Sequence, residues 1–365
     1  MSSDERPSYR RPSDTGATGE GSSGEGPAEE RTGWRAPSRR QLLVGGAVTL
    51  AATSVGLSRV IESRQPPARV HSLRCVSYDE DLVGLIREGL SAFPDLLKRV
   101  RGARVLLKPN LVEIHADRPI NTHPKLIVAA AQAFLEAGAR SVVVGEGPGH
   151  TRDIEAVLEQ SGLDRALSEP GVPFIDLNAE TPVGLRLPAN LTGLGELPIA
   201  AAVLAADLVV SMPKLKTHHW AGATLSMKNL FGTVPGRAFG WPKNSLHHAG
   251  INRSILDLWS AIRPAFAIID GVVAMEGDGP IMGTAVPHGV LLMSDNLPAL
   301  DATAARLMEL EPSRIPSIKG VVRLGGTIAE GRIERTGDTI ASRPYKVVKH
   351  LNEMRAGWLP LILGG

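Results

Sequence analysis

Short apolar runs alternate with amphipathic segments along this chain from about residue 69. Each apolar run has the length of a strand, and most are followed directly by polar residues or glycine. The predicted strands lie within residues 69–78, 103–110, 140–150, 171–177, 205–218, 265–280, 288–296 and 321–331. The predicted helices are residues 81–100 with a break near Pro94, and residues 123–139, 152–163 and 297–310.

This alternation predicts an α/β fold with a mostly parallel sheet and helices on both faces. Ligands of such sheets bind beyond the carboxyl ends of the strands, so we expect a polar site there. We interpret residues 69–335 as a single domain with room for two lobes, and residues 181–198 and 235–250 as loops or insertions. Residues 336–365 then form a C-terminal tail.

The first 65 residues follow a different pattern. Residues 1–37 are rich in Gly, Ser, Pro, Glu and Arg and hold almost no apolar residues, a composition typical of disorder. Within residues 38–65, Arg39 and Arg40 precede an apolar run at residues 42–57. A membrane-spanning helix needs about 20 residues, so this shorter run is more typical of an export signal.

The paired arginines resemble a twin-arginine export signal. We therefore expect a protein that the twin-arginine machinery carries across the cytoplasmic membrane to the periplasm. One alternative is a chance Arg-Arg pair before a buried helix. Because no A-x-A cleavage site follows, another alternative is an uncleaved segment that tethers the protein to the membrane.

Composition narrows the classes of function. Of 365 residues, 43% are hydrophobic and 21% are charged, and a net charge of +2 gives no sign of a nucleic-acid partner. The single cysteine, Cys75, rules out an internal disulfide and a zinc site made of several thiolates. An iron–sulfur cluster held by cysteines of this chain is excluded for the same reason.

Polar residues follow the predicted strands, and we select them as candidate site residues. They are Lys108, Asn110, Asn121, His123, Glu146, Lys214, Lys216, His218, Lys228, Asn229, His247, Asp270 and Glu276. An unpaired lysine costs several kcal/mol to bury, so lysines that directly extend an apolar strand need partners. The partners are either neighbouring carboxylates or an anionic ligand, and the convergence of many polar strand ends favours the ligand.

The histidines and acids leave alternatives open. His218 or His247 could move a proton or bind a ligand, whereas His123 could simply belong to a helix cap. Asp270 and Glu276 could hold a divalent metal such as Mg²⁺, or they could neutralise the lysines. The glycine-rich "GEGPGH" lacks the spacing of a nucleotide-binding motif and is more typical of a flexible loop.

The stretch "MPKLKTHHW" places Lys214, Lys216 and His218 two residues apart. If the stretch is extended, all three side chains leave the same face of the strand. The spacing therefore predicts one polar pocket, which holds Lys214, Lys216, Lys108, Glu146 and Asp270. Pro213 is the weak point, since a proline is able to end the hydrogen-bonded ladder.

Several motifs occur together in an order that is typical of one known family. They are "LKPNL", "NTHP", "GEGPG", "MPKLKTH", "MKNLFG", "IIDGVVAMEGDGP" and "ALDATAARLM", within about residues 70–325. In these motifs the chain resembles the domain-of-unknown-function 362 family. The resemblance implies a site at the strand-end residues named above, except His247. Some members carry ferredoxin-like cysteine clusters, which this chain lacks, and the layout is loosely similar to nickel-dependent lactate-racemase-like proteins.

Two classes of function fit these observations. In the favoured one, the chain is an enzyme in which Lys214, Lys216 and Lys228 hold a carboxylate or phosphate and His218 or His247 moves a proton. Lys228 is alternatively a nucleophile, and assistance by a divalent metal is left open. In the other, the chain is a non-catalytic protein of the cell envelope that binds an anion or a metal ion.

Overall fold

The computed structural model describes residue 60 and residues 63–113, 117–149, 153–240 and 244–348. The predicted signal with Arg39 and Arg40 lies outside these described residues. The strands are β1 (Ala68–Arg74), β2 (Arg104–Pro109), β3 (Ser141–Glu146), β4 (Phe174–Asp176), β5 (Pro182–Arg186), β6 (Glu196–Ala200), β7 (Leu208–Met212), β8 (Lys214–His218), β9 (Gly222–Thr224), β10 (Phe266–Glu276), β11 (Thr284–Ser294) and β12 (Ile333–Gly337).

One sheet contains ten of the described strands in the order β12-β1-β11-β10-β7-β2-β3-β4, with β8 paired to β10 and β9 paired to β8. All neighbours from β10 to β4 pair in parallel, as do β1 with β12 and β8 with β10. Within this described sheet, antiparallel pairing is confined to β11 and β9. The predicted α/β fold with a mostly parallel sheet is therefore confirmed.

The helices begin at positions that the sequence marks with caps and prolines. Asp81 and Asn296 each accept a backbone N–H and cap the helix that follows, and Pro94 starts a new helix. The helices are Leu82–Ser91, Pro94–Val100, Pro124–Glu136, Ile154–Ser161, Leu163–Ser168, Ala201–Ala205, Gly236–Phe239, Asn244–His248, Ile251–Ile262, Leu297–Leu307 and Pro316–Gly320. None of the described helices combines the length and apolar character that a bilayer crossing requires.

Alternate residues of the central strands enter two apolar cores on opposite faces of the sheet. On β2, Val105 and Leu107 join a core that includes the helix Pro124–Glu136. Leu106 joins the other core, which includes the helix Leu297–Leu307. Helices thus cover both faces, as expected for a sheet whose strands are buried on both sides.

The last predicted strand is wrong in position. Within residues 321–331 the chain forms 3₁₀ turns at Val321–Leu324 and Glu330–Arg332, and β12 follows. Gly325, with a φ of 81°, interrupts the extended backbone that a strand requires. The structure also adds elements that the patterns missed, among them the helix Ile251–Ile262. The hairpin of β5 and β6 takes up much of the predicted loop at residues 181–198, and the helices Gly236–Phe239 and Asn244–His248 lie within the predicted loop at residues 235–250.

Pro213 connects β7 to β8 without ending the sheet, because both strands pair in parallel with β10. The Pro213 carbonyl accepts the Asp270 N–H at 2.9 Å, so the ladder loses only the N–H that proline lacks. Lys214 then lies opposite Asp270, and Lys216 lies opposite Met275 after a shift of register. The polar residues of β8 are therefore held in the sheet just beyond the end of the apolar strand β7.

Candidate functional site

A cavity of about 540 Å³ lies at the carboxyl ends of β2, β3 and β8. Predicted site residues that line it are Lys108, Asn110, Glu146, Lys216, His218, Lys228, Asn229 and His247. A cavity of this volume is large enough for a small molecule. The parallel sheet therefore brings side chains from distant parts of the sequence together where its strands end.

Lys108 and Glu146 form a buried ion pair in the cavity wall. The Lys108 Nζ donates to both carboxylate oxygens of Glu146 at 2.8 Å, and the two side chains are 0% and 2% exposed. The backbone N–H groups of Leu111 and Gly147 also donate to this carboxylate. Burial lowers the pKa of Lys108, and the Glu146 carboxylate opposes that effect. The pair neutralises itself and offers little net charge to a ligand.

The 3₁₀ turn Lys228–Thr233 packs directly against this ion pair. Asn229 Nδ2 donates to the Lys108 carbonyl at 2.9 Å. A Cβ at Gly232 would collide with the Glu146 carboxylate and lie 2.6 Å from the Lys108 Nζ. A larger residue at this position would therefore have to displace the buried ion pair.

The buried Asp301 carboxylate fixes the segment that leads into this turn. It accepts hydrogen bonds from the Ser226 N–H at 2.8 Å, the Ser226 hydroxyl at 2.5 Å and the Met227 N–H at 3.1 Å. Burial raises the pKa of Asp301 to about 7, against the effect of these hydrogen bonds. Because Lys228 and Asn229 come next in the chain, Asp301 positions both of them.

Lys216 is a buried lysine that lies among carbonyl groups. Its side chain is fully buried, and its Nζ donates to the carbonyl oxygens of Ile120 at 2.8 Å and Pro280 at 3.3 Å. No carboxylate of the described chain forms an ion pair with it. Burial, followed by the positive charges of Lys228 and Lys214, lowers the pKa of Lys216 well below its usual value. This environment favours the uncharged amine.

Lys228 presents an uncompensated positive charge to the cavity. Its Nζ lies 4.0 Å from the centroid of the Phe231 ring, and among the described residues no carboxylate pairs with it. Burial and the neighbouring charge of Lys108 lower the pKa of Lys228 to about 8, against the effect of Glu146. The side chain therefore stays mostly protonated at pH 7.

His218 is oriented by backbone groups that donate to its ring. The N–H groups of Trp220 and Ala221 donate to His218 Nδ1 at 3.1 and 3.3 Å. Because Nδ1 accepts, we infer that Nε2 carries the proton of the neutral ring. Burial, and then the charge of Lys228, lowers the pKa of His218 well below its usual value. With Nδ1 occupied in this way, the neutral ring offers its Nε2–H as a hydrogen-bond donor, and the role of His218 in proton transfer stays a prediction.

Aromatic and imidazole rings form the mouth of the cavity. Trp220 is 54% exposed and meets His247 edge to face, with 5.5 Å between ring centroids. Phe231 meets His247 at 5.7 Å, and His219 meets Trp220 at 4.8 Å. His247 is thus held at the rim, and its role in proton transfer stays a prediction.

Lys214 lies outside the cavity lining, in a separate buried cluster. Its Nζ donates to the Asp270 carboxylate at 2.7 Å and to the Tyr78 hydroxyl at 2.8 Å. The same carboxylate accepts the Tyr78 hydroxyl at 2.8 Å and the His123 N–H at 3.0 Å. The rings of Tyr78 and His123 stack 3.7 Å apart, and burial lowers the pKa of His123 to about 4. Each of these polar groups is occupied by another member of the cluster.

The expectation that Lys214 and Lys216 share one pocket is therefore wrong. Residues 120–123 pass over this side of β8 and contact both lysine environments. The Ile120 carbonyl accepts a hydrogen bond from Lys216, whereas His123 belongs to the Lys214 cluster. The segment thus divides one side of the strand into a cavity wall and a closed ion-pair cluster.

Two further predicted ligand-binding residues serve the backbone. Asn121 Oδ1 accepts the Val112 N–H at 2.8 Å, and Asn121 Nδ2 donates to the Glu113 carbonyl at 2.9 Å. His123 Nδ1 caps the helix Pro124–Glu136. Both residues lie outside the cavity lining, and the position of His123 matches the helix-cap alternative.

Asp270 and Glu276 do not come together as metal ligands. Asp270 is engaged by Lys214 and Tyr78, while Glu276 at the end of β10 accepts the Lys346 N–H at 2.9 Å. In the part of the chain that the structure describes, no group of three His, Cys, Asp or Glu side chains is placed to hold a metal ion. The geometry thus offers no support for a metal site on these two residues.

Other residues that shape the site were not selected from the sequence. Thr224 and Trp220 line the cavity, Tyr78 joins the Lys214 cluster and Asp301 anchors the turn before Lys228. For Asp301 a signal existed, because an acidic residue within an otherwise apolar helix needs a buried hydrogen-bond partner. Thr224 and Trp220 carry no such signal.

These observations define an α/β protein with a lysine-containing site at the ends of its parallel strands. The model of the family described as "Domain of unknown function (DUF362)" matches residues 105–306. The thylakoid-associated protein sll1697 of Synechocystis sp. (strain ATCC 27184 / PCC 6803 / Kazusa) is 31% identical over 261 residues, which cover 70% of this chain and 79% of that protein. This chain belongs to the DUF362 family.

Two solved structures show a weaker similarity. The lactate racemase apoprotein from Thermoanaerobacterium thermosaccharolyticum has a TM-score of 0.40 at 16% identity. A protein from Thermotoga maritima has a TM-score of 0.38 at 15% identity. Each alignment covers 67% of this chain and 58% of the other, so this chain spans little more than half of either structure.

The different partners of Lys108 and Lys216 predict different costs of substitution. Lys108→Met leaves the Glu146 carboxylate buried without its ammonium partner, which should lower the free energy of unfolding by about 3–5 kcal/mol. Lys216→Met removes hydrogen bonds to two carbonyl oxygens and should cost about 1–3 kcal/mol. Urea unfolding at pH 7 measures both values.

The double variant Lys108→Met/Glu146→Leu is the control for this comparison. It removes both charges, so it should recover much of the stability that Lys108→Met loses. Equal losses in the two single variants, or no recovery in the double variant, would contradict the assignment of the ion pair.

Proposed function

We propose that this chain is an exported enzyme that acts on a small anionic molecule, a carboxylate or a phosphate, in the cavity at the strand ends. The observation that carries this proposal is the charge of Lys228. Lys108 is neutralised by Glu146 and Lys214 by Asp270, whereas no described carboxylate pairs with Lys228. A partly buried cation without a carboxylate partner attracts an anionic ligand, because the surrounding protein screens its field less than bulk water does.

The neighbouring groups suit a reaction in which a proton is transferred. Burial lowers the pKa of Lys216, which raises the fraction of uncharged amine, the form that is able to accept a proton from a bound molecule. His218 offers Nε2–H, which would stabilise negative charge that develops on a substrate oxygen. In this arrangement Lys228 holds the anionic group, and His247 at the rim is the second candidate for proton transfer.

Anion binding should follow the protonation of Lys228, whose pKa lies at about 8. The ammonium is present below this pH and is lost above it. The affinity for succinate or sulfate, which stay ionised throughout, should therefore be highest near pH 6–7 and fall about tenfold per pH unit above pH 8. Isothermal titration calorimetry between pH 6 and pH 10 measures this dependence.

Substitutions of Lys228 test the origin of the pH dependence. Lys228→Arg keeps its charge to about pH 12 and should remove the alkaline loss of affinity, while Lys228→Met should lose binding at every pH. Lys98→Met is the matched control, because Lys98 is an exposed lysine paired with Asp95. Unchanged affinity in Lys228→Met would remove the basis of the proposal.

His218→Asn separates an enzyme from a pure binding protein. The amide oxygen of the introduced asparagine would still accept the N–H groups that now donate to His218 Nδ1, while the Nε2–H donor is lost. Every carboxylate or phosphate that binds is followed by ¹H NMR in D₂O for deuterium exchange or product formation. For an enzyme, the rate of deuterium exchange or product formation should fall by about 10²-fold or more in His218→Asn, while the ligand still binds. Binding without any chemical change in the wild-type protein would instead indicate a binding protein.

Export is the part of the proposal that rests on Arg39 and Arg40. The export machinery recognises the arginine pair, so Arg39→Lys/Arg40→Lys should hold the protein in the cytoplasm. Cell fractionation followed by immunoblotting measures the distribution, with Arg31→Lys/Arg35→Lys as the matched control. A double variant that reaches the envelope as well as the wild-type protein would contradict export by this route.

A further inference from the structure

Two polar atoms in the cavity wall are buried without a partner. Asn110 is 8% exposed and Thr224 is 4% exposed, and both residues line the cavity. Among the described residues, the Asn110 Oδ1 and the Thr224 Oγ1 have no hydrogen-bond partner. A buried polar atom left in this state costs about 1–3 kcal/mol, so folded proteins contain few of them.

Both residues stand on hydrogen-bonded backbone, so the unpaired atoms do not reflect a loose segment. The Asn110 N–H donates to the Thr122 hydroxyl and the Asn110 carbonyl accepts the Thr122 N–H, each at 2.9 Å. Thr224 pairs with Lys216 in the β8–β9 ladder. The side chains of directly opposed residues in such a ladder are neighbours on one face of the sheet. The Thr224 side chain is therefore a neighbour of the Lys216 side chain.

The chemistry of these atoms defines what they are able to bind. An amide oxygen only accepts hydrogen bonds, so a partner of Asn110 Oδ1 has to be a donor. A threonine hydroxyl both donates and accepts, so it also suits a hydroxyl or an amine. A fully ionised carboxylate or phosphate has acceptors alone and would leave the amide oxygen unpaired.

We propose that the cavity selects anions that also carry a hydroxyl group, and that Asn110 and Thr224 bind this group. The inference rests on the proposed anion site at Lys228 and extends it to a substrate class, the hydroxylated carboxylates and phosphates. Binding sites with buried polar groups of this kind reject analogues that lack the matching group, because such analogues would leave those atoms unpaired.

Two matched pairs of probes test this selection by isothermal titration calorimetry at pH 7. One pair is tartrate and succinate, and the other is glycerol 3-phosphate and propyl phosphate. The members of each pair carry the same anionic groups and differ only in hydroxyls. We expect at least one hydroxylated member to bind about tenfold or more tightly than its partner, as one to two added hydrogen bonds would give.

Substitutions assign the preference to the two residues. Asn110→Ala and Thr224→Val should each bring the affinity ratio within a pair toward one, because the hydroxylated member loses its added hydrogen bond. Asn252→Ala is the matched control, because the Asn252 Oδ1 is also buried without a described partner but lies outside the cavity lining. It should keep the ratio of the wild-type protein.

Thermal unfolding without any ligand gives a second measurement. Thr224→Val replaces an unpaired buried hydroxyl by a methyl group of similar volume, so the Tm should stay the same or rise. A marked drop in the Tm of Thr224→Val would show that the hydroxyl has a structural partner and would overturn its proposed role.

The outcomes separate this inference from the proposed function. If the members of each pair bind equally well and binding still requires Lys228, the inference is overturned and the anion site stands. If none of the four probes binds, both the anion site and the inference are overturned.

Discussion

A buried ammonium group needs an anion or gives up its charge, and this constraint organises the functional end of the sheet. Lys108 on β2 and the β8 residues Lys214 and Lys216 are all buried, and each satisfies its ammonium group with different partners. Lys108 and Lys214 take carboxylates from the neighbouring parallel strands β3 and β10, so the ion pairs also hold the strand ends together. Lys216 takes carbonyl oxygens instead. Lys228 also lines the cavity, and among the described residues no carboxylate pairs with it. It lies on the turn that packs against the Lys108–Glu146 ion pair.

Buried contacts anchor the turn that carries Lys228. Chain continuity through Pro213 keeps β8 in the sheet, so the adjoining cavity wall is a hydrogen-bonded ladder rather than a free loop. The turn that carries Lys228 is held by Asp301 at its start and by the close contact at Gly232. Anchoring of this kind lowers the ordering entropy that opposes ligand binding. Loose packing of the turn therefore does not explain why Lys228 has no carboxylate partner among the described residues.

Local patterns predicted much of this arrangement because the geometry of parallel strands is itself local. Polar residues that directly follow apolar strands reach the same edge of the sheet, and this places Lys108, Glu146, Lys216 and His218 around one cavity. The separation of Lys214 from Lys216 depends instead on a hydrogen bond from Lys216 to Ile120, which is 96 residues away in sequence. Periodicity reports which face a side chain leaves, but it carries no information about the distant segment that covers that face. The anchoring of Ser226 by a carboxylate 75 residues away was missed for the same reason.

The cavity wall combines completed polar networks with two incomplete groups, and the contrast bears on recognition. The Lys108–Glu146 pair and the Lys214 cluster satisfy their polar atoms within the protein, whereas Asn110 and Thr224 keep unpaired atoms at a cost in stability. Apolar residues at those two positions would remove that cost. The presence of Asn110 and Thr224 is therefore consistent with residues that lower stability but contribute to ligand binding. Thr224 pairs with Lys216 in the β-ladder, while Lys228 supplies the charge on the neighbouring turn. A ligand that satisfied all of these groups would carry its anion toward Lys228 and its donor group toward the amine of Lys216. That orientation would bring the polar part of the molecule next to the group best suited to accept a proton.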